Sequence, residues 1–424
     1  MDQGLVTKAE ELLASFQKTA YVFGSGVLDR VGPIAADLGE NALVVGNTAH
    51  TRSVLQRVVQ SLKTEGLLVN STLGAQPNTP VEDVHRIAGE IRQTKSDVVV
   101  AVGGGSTIDA VKAAVAAASL GGGVERFFGT GLVSEALERE RGSLVPTIAV
   151  QTAAGSGAHL TKYANVTDLA KGQKKLIVDE ALMPARALFD YDVTISVDTD
   201  VTFDGIMDGM SHLVEVFFGI KAADAERYPV VEELIRTGLP LLLQGAEIVQ
   251  ANPGSREGRK AIGLATDLGA LAIMIGSTNG PHLNSFSLVD IASHGRACGM
   301  LNPYYAVLFA SAIEPQLEAL GRIYADHGLI KQDPGHLSGR ELALAVAKGM
   351  QQFLLKFGLP IALKDLPGFG EGHRVRILTA AKEPQLRMKL ENMPIPISPQ
   401  LVDSAVGSVL DAAEAGDPSL VGSL

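Results

Sequence analysis

The chain of 424 residues contains no tryptophan and only one cysteine, Cys298. A single thiol forms no intrachain disulfide, and a zinc site built on cysteines is excluded on the same ground. The flanks of Cys298, Arg296-Ala297 and Gly299-Met300, hold no thiolate-activating motif. A buried thiol packed as a small hydrophobe is therefore expected. Positive charge is also scarce. Lys and Arg total 36 against 47 Asp and Glu, giving a net charge of −11, and no basic run occurs. Such a chain has no electrostatic pull toward nucleic acid or anionic lipid, and neither is an expected partner. No stretch reaches the roughly 20 uninterrupted apolar residues that a membrane span needs. Residues 1–11 hold three acidic side chains and no long apolar core. No secretory signal is expected there, and the cytoplasm is the expected compartment.

Glycine, by contrast, is plentiful at 46 residues, in a composition 46% hydrophobic and 20% charged. This is an ordinary globular make-up, and the length argues for two domains. The first half alternates apolar β-rich runs with amphipathic helical ones. Strands are expected over 41–45, 98–102 and 146–150, and helices over 48–62, 81–95 and 107–120. Val98-Val99-Val100-Ala101-Val102 is apolar throughout, as a parallel strand covered on both faces requires. After about Asp192 the pattern becomes helical, over 207–218, 230–243, 258–275, 304–324, 342–357 and 399–413. The expected fold is a doubly wound, Rossmann-like α/β nucleotide-binding domain over 1–191, followed by an all-α domain over 192–424.

The strand at 98–102 runs into Gly103-Gly104-Gly105-Ser106. Glycines there let the backbone turn sharply and approach a ligand with no Cβ in the way. The helix that follows is expected to begin near Thr107, with Ser106 as its N-cap. Its free N–H groups would face the turn and suit a pyrophosphate. The turn departs from the G-x-G-x-x-G fingerprint, and a tight β–α connection without a ligand also uses such glycines. A second strand end strengthens the reading, because 146–150 leads into Gln151-Thr152-Ala153-Ala154-Gly155-Ser156-Gly157. Asn47 closes the first strand, where nucleotide folds read the ribose. It is neutral, and Arg52 follows about one helical turn later, so both NAD and NADP are open as cofactors.

Asp208 and His212 stand four residues apart in a helical run, which places both on one face. Such a pair is commonly a plain hydrogen bond. His282, in Asn279-Gly280-Pro281-His282, and His294, in Ser293-His294-Gly295, lie in loop-like segments of the same half. Three imidazoles and one carboxylate suit Fe(II) or Zn(II), and are too rich in nitrogen for Mg²⁺ or Ca²⁺. Glu215 is expected to support this group by a hydrogen bond or a helix contact. His50, His85, His327, His336 and His373 sit in polar surroundings and are expected to be solvated.

Taken together, these motifs resemble the iron-containing (group III) alcohol dehydrogenase family, within the superfamily of glycerol dehydrogenases and dehydroquinate synthases. The resemblance runs from Phe23-Gly24-Ser25-Gly26 to about Pro303. It rests on Pro77-Asn78, the segments 103–112 and 152–157, and Met207-Asp208-Gly209-Met210-Ser211-His212-Leu213-Val214-Glu215, all in the family's order. It implies that Gly103, Gly104, Gly105 and Ser106 hold the cofactor pyrophosphate. Asn47, Asn78, Thr152, Ser156, Thr161 and Lys175 would make the other cofactor contacts. It also implies that Asp208, His212, His282 and His294 ligate a divalent metal, Fe²⁺ with Zn²⁺ as the alternative, and carry the catalysis.

Three positions depart from the family pattern. His159 stands where Glu is usual, and Asn47 where Asp is common. Asn284 takes roughly the place of a further histidine, which removes the side chain on which a proton relay would run.

The implied reaction is hydride transfer between nicotinamide C4 and an alcohol or carbonyl compound at the metal. A glycerol-dehydrogenase-like polyol oxidoreductase and a dehydroquinate-synthase-like lyase are the alternatives. The second would grip a phosphorylated substrate with Lys and Arg, yet 208–218 and 279–293 contain neither. A small neutral alcohol or aldehyde is the expected substrate. The resemblance further implies a homodimer or larger homo-oligomer.

Overall fold

Successive side chains of a strand point to opposite faces, so an all-apolar strand needs cover on both sides. A computed structural model shows that cover. It describes residues 1–16 and 20–424, with 48–50 and 385 described by backbone alone, so the side chain of His50 lies outside the described residues. The chain opens with α1 (Gln3–Ala14), β1 (Ala20–Gly24), α2 (Val31–Ala36), β2 (Asn41–Gly46), α3 (Thr48–Thr64) and β3 (Leu68–Thr72). It continues with α4 (Val81–Thr94), β4 (Val98–Gly103), α5 (Gly105–Leu120), β5 (Gly129–Thr130), α6 (Leu132–Glu140) and β6 (Thr147–Gln151). A β7 (Tyr163–Asp168) and β8 (Gln173–Val178) hairpin and β9 (Arg186–Asp190) complete this half.

The main sheet has six strands in the order β1-β9-β6-β4-β2-β3, and every pairing is parallel. Leu43, Val45, Val99 and Ala101 enter one core with Ile87, Ile108 and Val111 of α4 and α5. Val44, Val98, Val100 and Val102 enter another, with Val31 of α2 and with Val58 and Leu62 of α3. Strand β2 is followed by its neighbour β3, whereas the next strand, β4, lies on its other side. That reversal leaves a crevice beyond the carboxyl ends of β2 and β4, the usual ligand position in such sheets. Sequence periodicity did not resolve the separate three-stranded sheet, β5-β8-β7, in which β7 and β8 run antiparallel.

The helical region comprises α7 (Thr199–Gly219), α8 (Tyr228–Ala251), α9 (Arg256–Ile275), α10 (Gly280–Ser285) and α11 (His294–Leu308). Then follow α12 (Glu314–Asp326), α13 (Gly339–Lys356), α14 (Glu371–Ala381), α15 (Arg387–Glu391) and α16 (Val402–Ala415). The single helix expected over 304–324 is two, because α11 ends at Leu308 and Pro315 restarts the chain in the first turn of α12. Proline tolerates only that first turn without losing a helical hydrogen bond.

The chain divides into two units, Glu11–Thr202 with Asn252–Gly263, and Met1–Glu10 with Phe203–Ala251 and Leu264–Leu424. The division thus falls after Thr202 rather than near Tyr191. Buried Arg259 ties 252–263 to 197–202. Its guanidinium donates to Pro253 O at 3.0 Å, Val197 O at 2.9 Å and Thr202 Oγ1 at 2.5 Å. Among the described residues, no helix is long and apolar enough to cross a membrane.

Candidate metal centre

Helix α7 sets the first two groups. Its pitch puts Asp208, His212 and Glu215 on one buried side. Asp208 Oδ1 lies 3.6 Å from His212 Nε2. Two further imidazoles converge on the same oxygen, His282 Nε2 at 3.6 Å and His294 Nε2 at 3.8 Å. The structure therefore brings together all four residues singled out from the sequence.

The local chain explains how two distant histidines arrive there. Asn279 caps the short helix α10, its Oδ1 accepting from Gly280 N–H at 2.7 Å. Glu215 Oε2 accepts from Asn279 N–H at 2.8 Å, and Asn279 Nδ2 donates to Glu215 O at 2.8 Å. This ties α10 to α7. Glu215 Oε1 then meets His282 Nδ1 at 2.6 Å, which turns Nε2 inward. His294 opens α11 behind its N-cap Ser293, and Ser285 Oγ lies 3.0 Å from His294 Nδ1. Outer partners of this kind fix ring orientation in metal-binding histidines. Gly295 lets α11 approach α7, since a Cβ there would lie 2.0 Å from Asp204 O and 2.8 Å from Asp208 Cβ.

The donor set fits a divalent ion. Asp208 Oδ1 and His282 Nε2 are buried and make no hydrogen bond, although each can bind a cation. Two donors about 2.1 Å from a common ion at a tetrahedral angle lie roughly 3.4 Å apart. The observed 3.6 to 3.8 Å is close to that spacing. Burial by itself would raise the Asp208 pKa, but the imidazoles of His212, His294 and His282 overcome it and hold the carboxyl well below the usual range. Burial lowers His212 to about 4, against the pull of Asp208, which keeps the ring a neutral ligand. Arg296, the one cation in the neighbouring sequence, pairs with Asp204 at 2.8 Å.

Cys298 is buried as expected, but its surroundings are not plain hydrophobic packing. Its Sγ and donor atoms of Asp208, His282 and His294 all lie within 4.8 Å of one another. The expectation of a thiol packed as a plain hydrophobe is what this geometry departs from. The signal was available: Cys298 follows His294 by four residues, the same spacing as Asp208 and His212.

The candidate cofactor residues belong to the sheet-bearing unit. Gly103 ends β4, Gly104 is the N-cap of α5, and Gly105 begins that helix. Ser106 is not the expected N-cap. It lies inside the first turn, and its Oγ accepts from Asn78 N–H at 3.1 Å. Asn78 has φ +66°, a left-handed conformation that asparagine tolerates. The second strand end packs on the first. Thr152 N–H donates to Gly103 O at 3.0 Å, and a Cβ on Gly105 would meet Ser156 Oγ at 2.8 Å.

Asn47 follows β2, its Nδ2 donating to Ala75 O at 2.7 Å. Nearby, Arg52 lines a groove of about 820 Å³ with Gly46, Ser71, Thr72 and Lys63. Thr161 is buried, its carbonyl accepting from Lys112 Nζ at 2.7 Å. Lys175 lies on β8 opposite Val166. His159 is buried, with Nε2 3.2 Å from Tyr21 Oη, and Asn284 Nδ2 donates to Tyr305 Oη at 2.9 Å.

Residues 18–191 match the family model described as iron-containing alcohol dehydrogenase. The chain is 26% identical over 295 residues to an NAD-dependent methanol dehydrogenase of Bacillus methanolicus, covering 65% of this chain and 76% of that one. It is 24% identical to long-chain-alcohol dehydrogenase 1 of Geobacillus thermodenitrificans, covering 93% and 94%. An archaeal alcohol dehydrogenase from a Red Sea brine pool superposes with a TM-score of 0.80 at 20% identity, covering 93% and 97%, a likeness of fold. By that match and these relatives, the chain resembles the iron-containing alcohol dehydrogenases.

Proposed function

We propose that this protein interconverts a small alcohol and its aldehyde or ketone, using NAD(H) or NADP(H) and a divalent ion held by Asp208, His212, His282 and His294. The observation that carries this reading is the convergence of three imidazole Nε2 atoms on the unpaired Oδ1 of Asp208. When bound, the ion supplies Lewis acidity to the alcohol or carbonyl oxygen, and the nicotinamide exchanges the hydride. Asp208 stays ionised beside the imidazoles and contributes the negative charge of the donor set. Glu215 and Ser285 orient His282 and His294. Gly103 to Ser106 present the N-terminus of α5 to the pyrophosphate, with Asn78, Thr152 and Ser156 lining the approach.

Neutral Asn47 with Arg52 nearby supports acceptance of both cofactors, because no carboxylate at that position repels a 2′-phosphate. The pairing of Arg296 with Asp204 supports a substrate without phosphate. Fe²⁺ is the proposed ion, with Zn²⁺ as the alternative, and the working form is a homodimer or larger homo-oligomer.

The test is metal analysis of protein purified without added metal, followed by an alcohol screen with both cofactors. Reduced cofactor should appear in the absorbance at about 340 nm. Activity should disappear on chelation and return with Fe²⁺ or Zn²⁺. Undiminished turnover in metal-free buffer, with Asp208→Ala as active as wild type, would overturn the proposal.

A further inference from the structure

Asp208, His282 and His294 take part in two overlapping quartets of donor atoms. His212, from α7, completes one of them. Cys298, from α11, completes the other, its Sγ lying within 4.8 Å of the three shared donors. Cys298 falls one helical turn after His294, on the same face of α11. That turn brings Sγ to 3.9 Å from His294 Nδ1 and 4.0 Å from Nε2. The thiol is completely buried. Two members of its quartet, Asp208 Oδ1 and His282 Nε2, are buried polar atoms without a hydrogen-bond partner.

We propose that Cys298 is a metal ligand in its own right, giving this centre a second coordination mode of one carboxylate, two imidazoles and one thiolate. This rests on the reading of the Asp208 cluster as a metal site. Thiolate sulfur favours softer and borderline ions such as Zn²⁺, whereas a carboxylate with three imidazoles also suits Fe(II). The ion therefore selects the mode, with Zn²⁺ or Co²⁺ drawing Sγ in and His212 yielding its place. Forming the metal–sulfur bond releases the thiol proton to solvent, with no change in oxidation state. Cys298 is then what distinguishes the zinc-loaded from the iron-loaded protein.

The experiment uses the full chain loaded with one equivalent of Zn²⁺ or Co²⁺. Zinc-edge X-ray absorption should contain one sulfur scatterer at about 2.3 Å beside nitrogen and oxygen at about 2.0–2.1 Å. The Co²⁺ form should have a near-ultraviolet sulfur-to-cobalt charge-transfer band, lost in Cys298→Ser while cobalt remains bound. His212→Ala should keep both the zinc and its sulfur scatterer, which tests the idea independently should Cys298→Ser fail to fold. A wild-type spectrum with nitrogen and oxygen scatterers alone overturns this inference and leaves the metal reading standing. Failure of Zn²⁺ and Co²⁺ to bind the wild-type protein while Fe²⁺ binds overturns this inference alone, and failure of all three ions overturns both.

Discussion

Glu215 holds His282 from behind. Its Oε1 lies 2.6 Å from Nδ1, while Nε2 of the same ring faces Asp208 Oδ1 at 3.6 Å. Both carboxylate oxygens are in use, because Oε2 accepts from Asn279 N–H at 2.8 Å. One acidic side chain thus orients a ligand and anchors the helix that carries it.

Glu215→Gln follows from that double use. An amide offers one acceptor where the carboxylate offers two, so either His282 or Asn279 loses its partner. Metal affinity should fall about 10- to 100-fold with little change in size at the site. Competition against a chromophoric chelator measures it, and wild-type affinity would count against the orienting role.

Gly104→Ala separates ligand approach from packing. A Cβ on Gly104 would find only Ala153 Cβ, at an ordinary 3.8 Å, so the fold has room for it. The α5 N-terminus would nevertheless gain a methyl group where the pyrophosphate is proposed to lie. The variant should unfold at the wild-type temperature yet bind NAD(P)H at least ~10-fold more weakly. Fluorescence titration reads the binding, and an unchanged dissociation constant would remove the cofactor from that turn.

Much of this was legible in the sequence, for definite physical reasons. Val98 to Val102 announced a strand covered on both faces, and the glycines after it announced the turn. The Asp208/His212 spacing carried its own geometry because α7 is a regular helix. What escaped was non-local. The β7–β8 hairpin hides in polar, alternating residues, 304–324 looked like one helix until Pro315 restarted the chain, and Ser106 turned its hydroxyl to Asn78 instead of capping α5. Cys298 looked inert because Asp208 and His282, two of its neighbours in space, are distant from it in sequence.

Lys112→Ala tests a buried polar group of α5. Lys112 Nζ donates to Thr161 O at 2.7 Å and Tyr163 O at 2.9 Å, with buried Asp109 one turn away on α5. Removing the ammonium leaves two carbonyls without this donor and weakens the positive charge acting on Asp109, to which Lys174 also contributes. Destabilisation of about 3–5 kcal/mol is expected. Urea unfolding measures it, and a loss under about 1 kcal/mol would mean that water replaces the lysine.

Lys389 gives a pH signature. It is buried, donates to Thr278 Oγ1, and burial lowers its pKa from 10.5 to about 8, with Glu215 and Cys298 opposing. Between those values the unfolded chain binds the extra proton, so stability contributed at this site rises with pH. The penalty is full below pH of about 8 and fades toward about 10.5. Wild type should therefore gain on Lys389→Met as alkalinity increases through that window. Urea midpoints for both proteins at several pH values would reveal it, and parallel curves would contradict it.

Gly295 bears none of the chemistry, yet it governs the spacing at which the chemistry operates. With Asp204 O only 2.0 Å from where its Cβ would stand, two backbones are pressed together one residue after His294. Enlarging that position by a single methyl would pry the imidazole away from its carboxylate without altering any donor atom. The spacing of the candidate donors thus depends on a missing carbon, at a position that a survey of reactive groups alone would overlook.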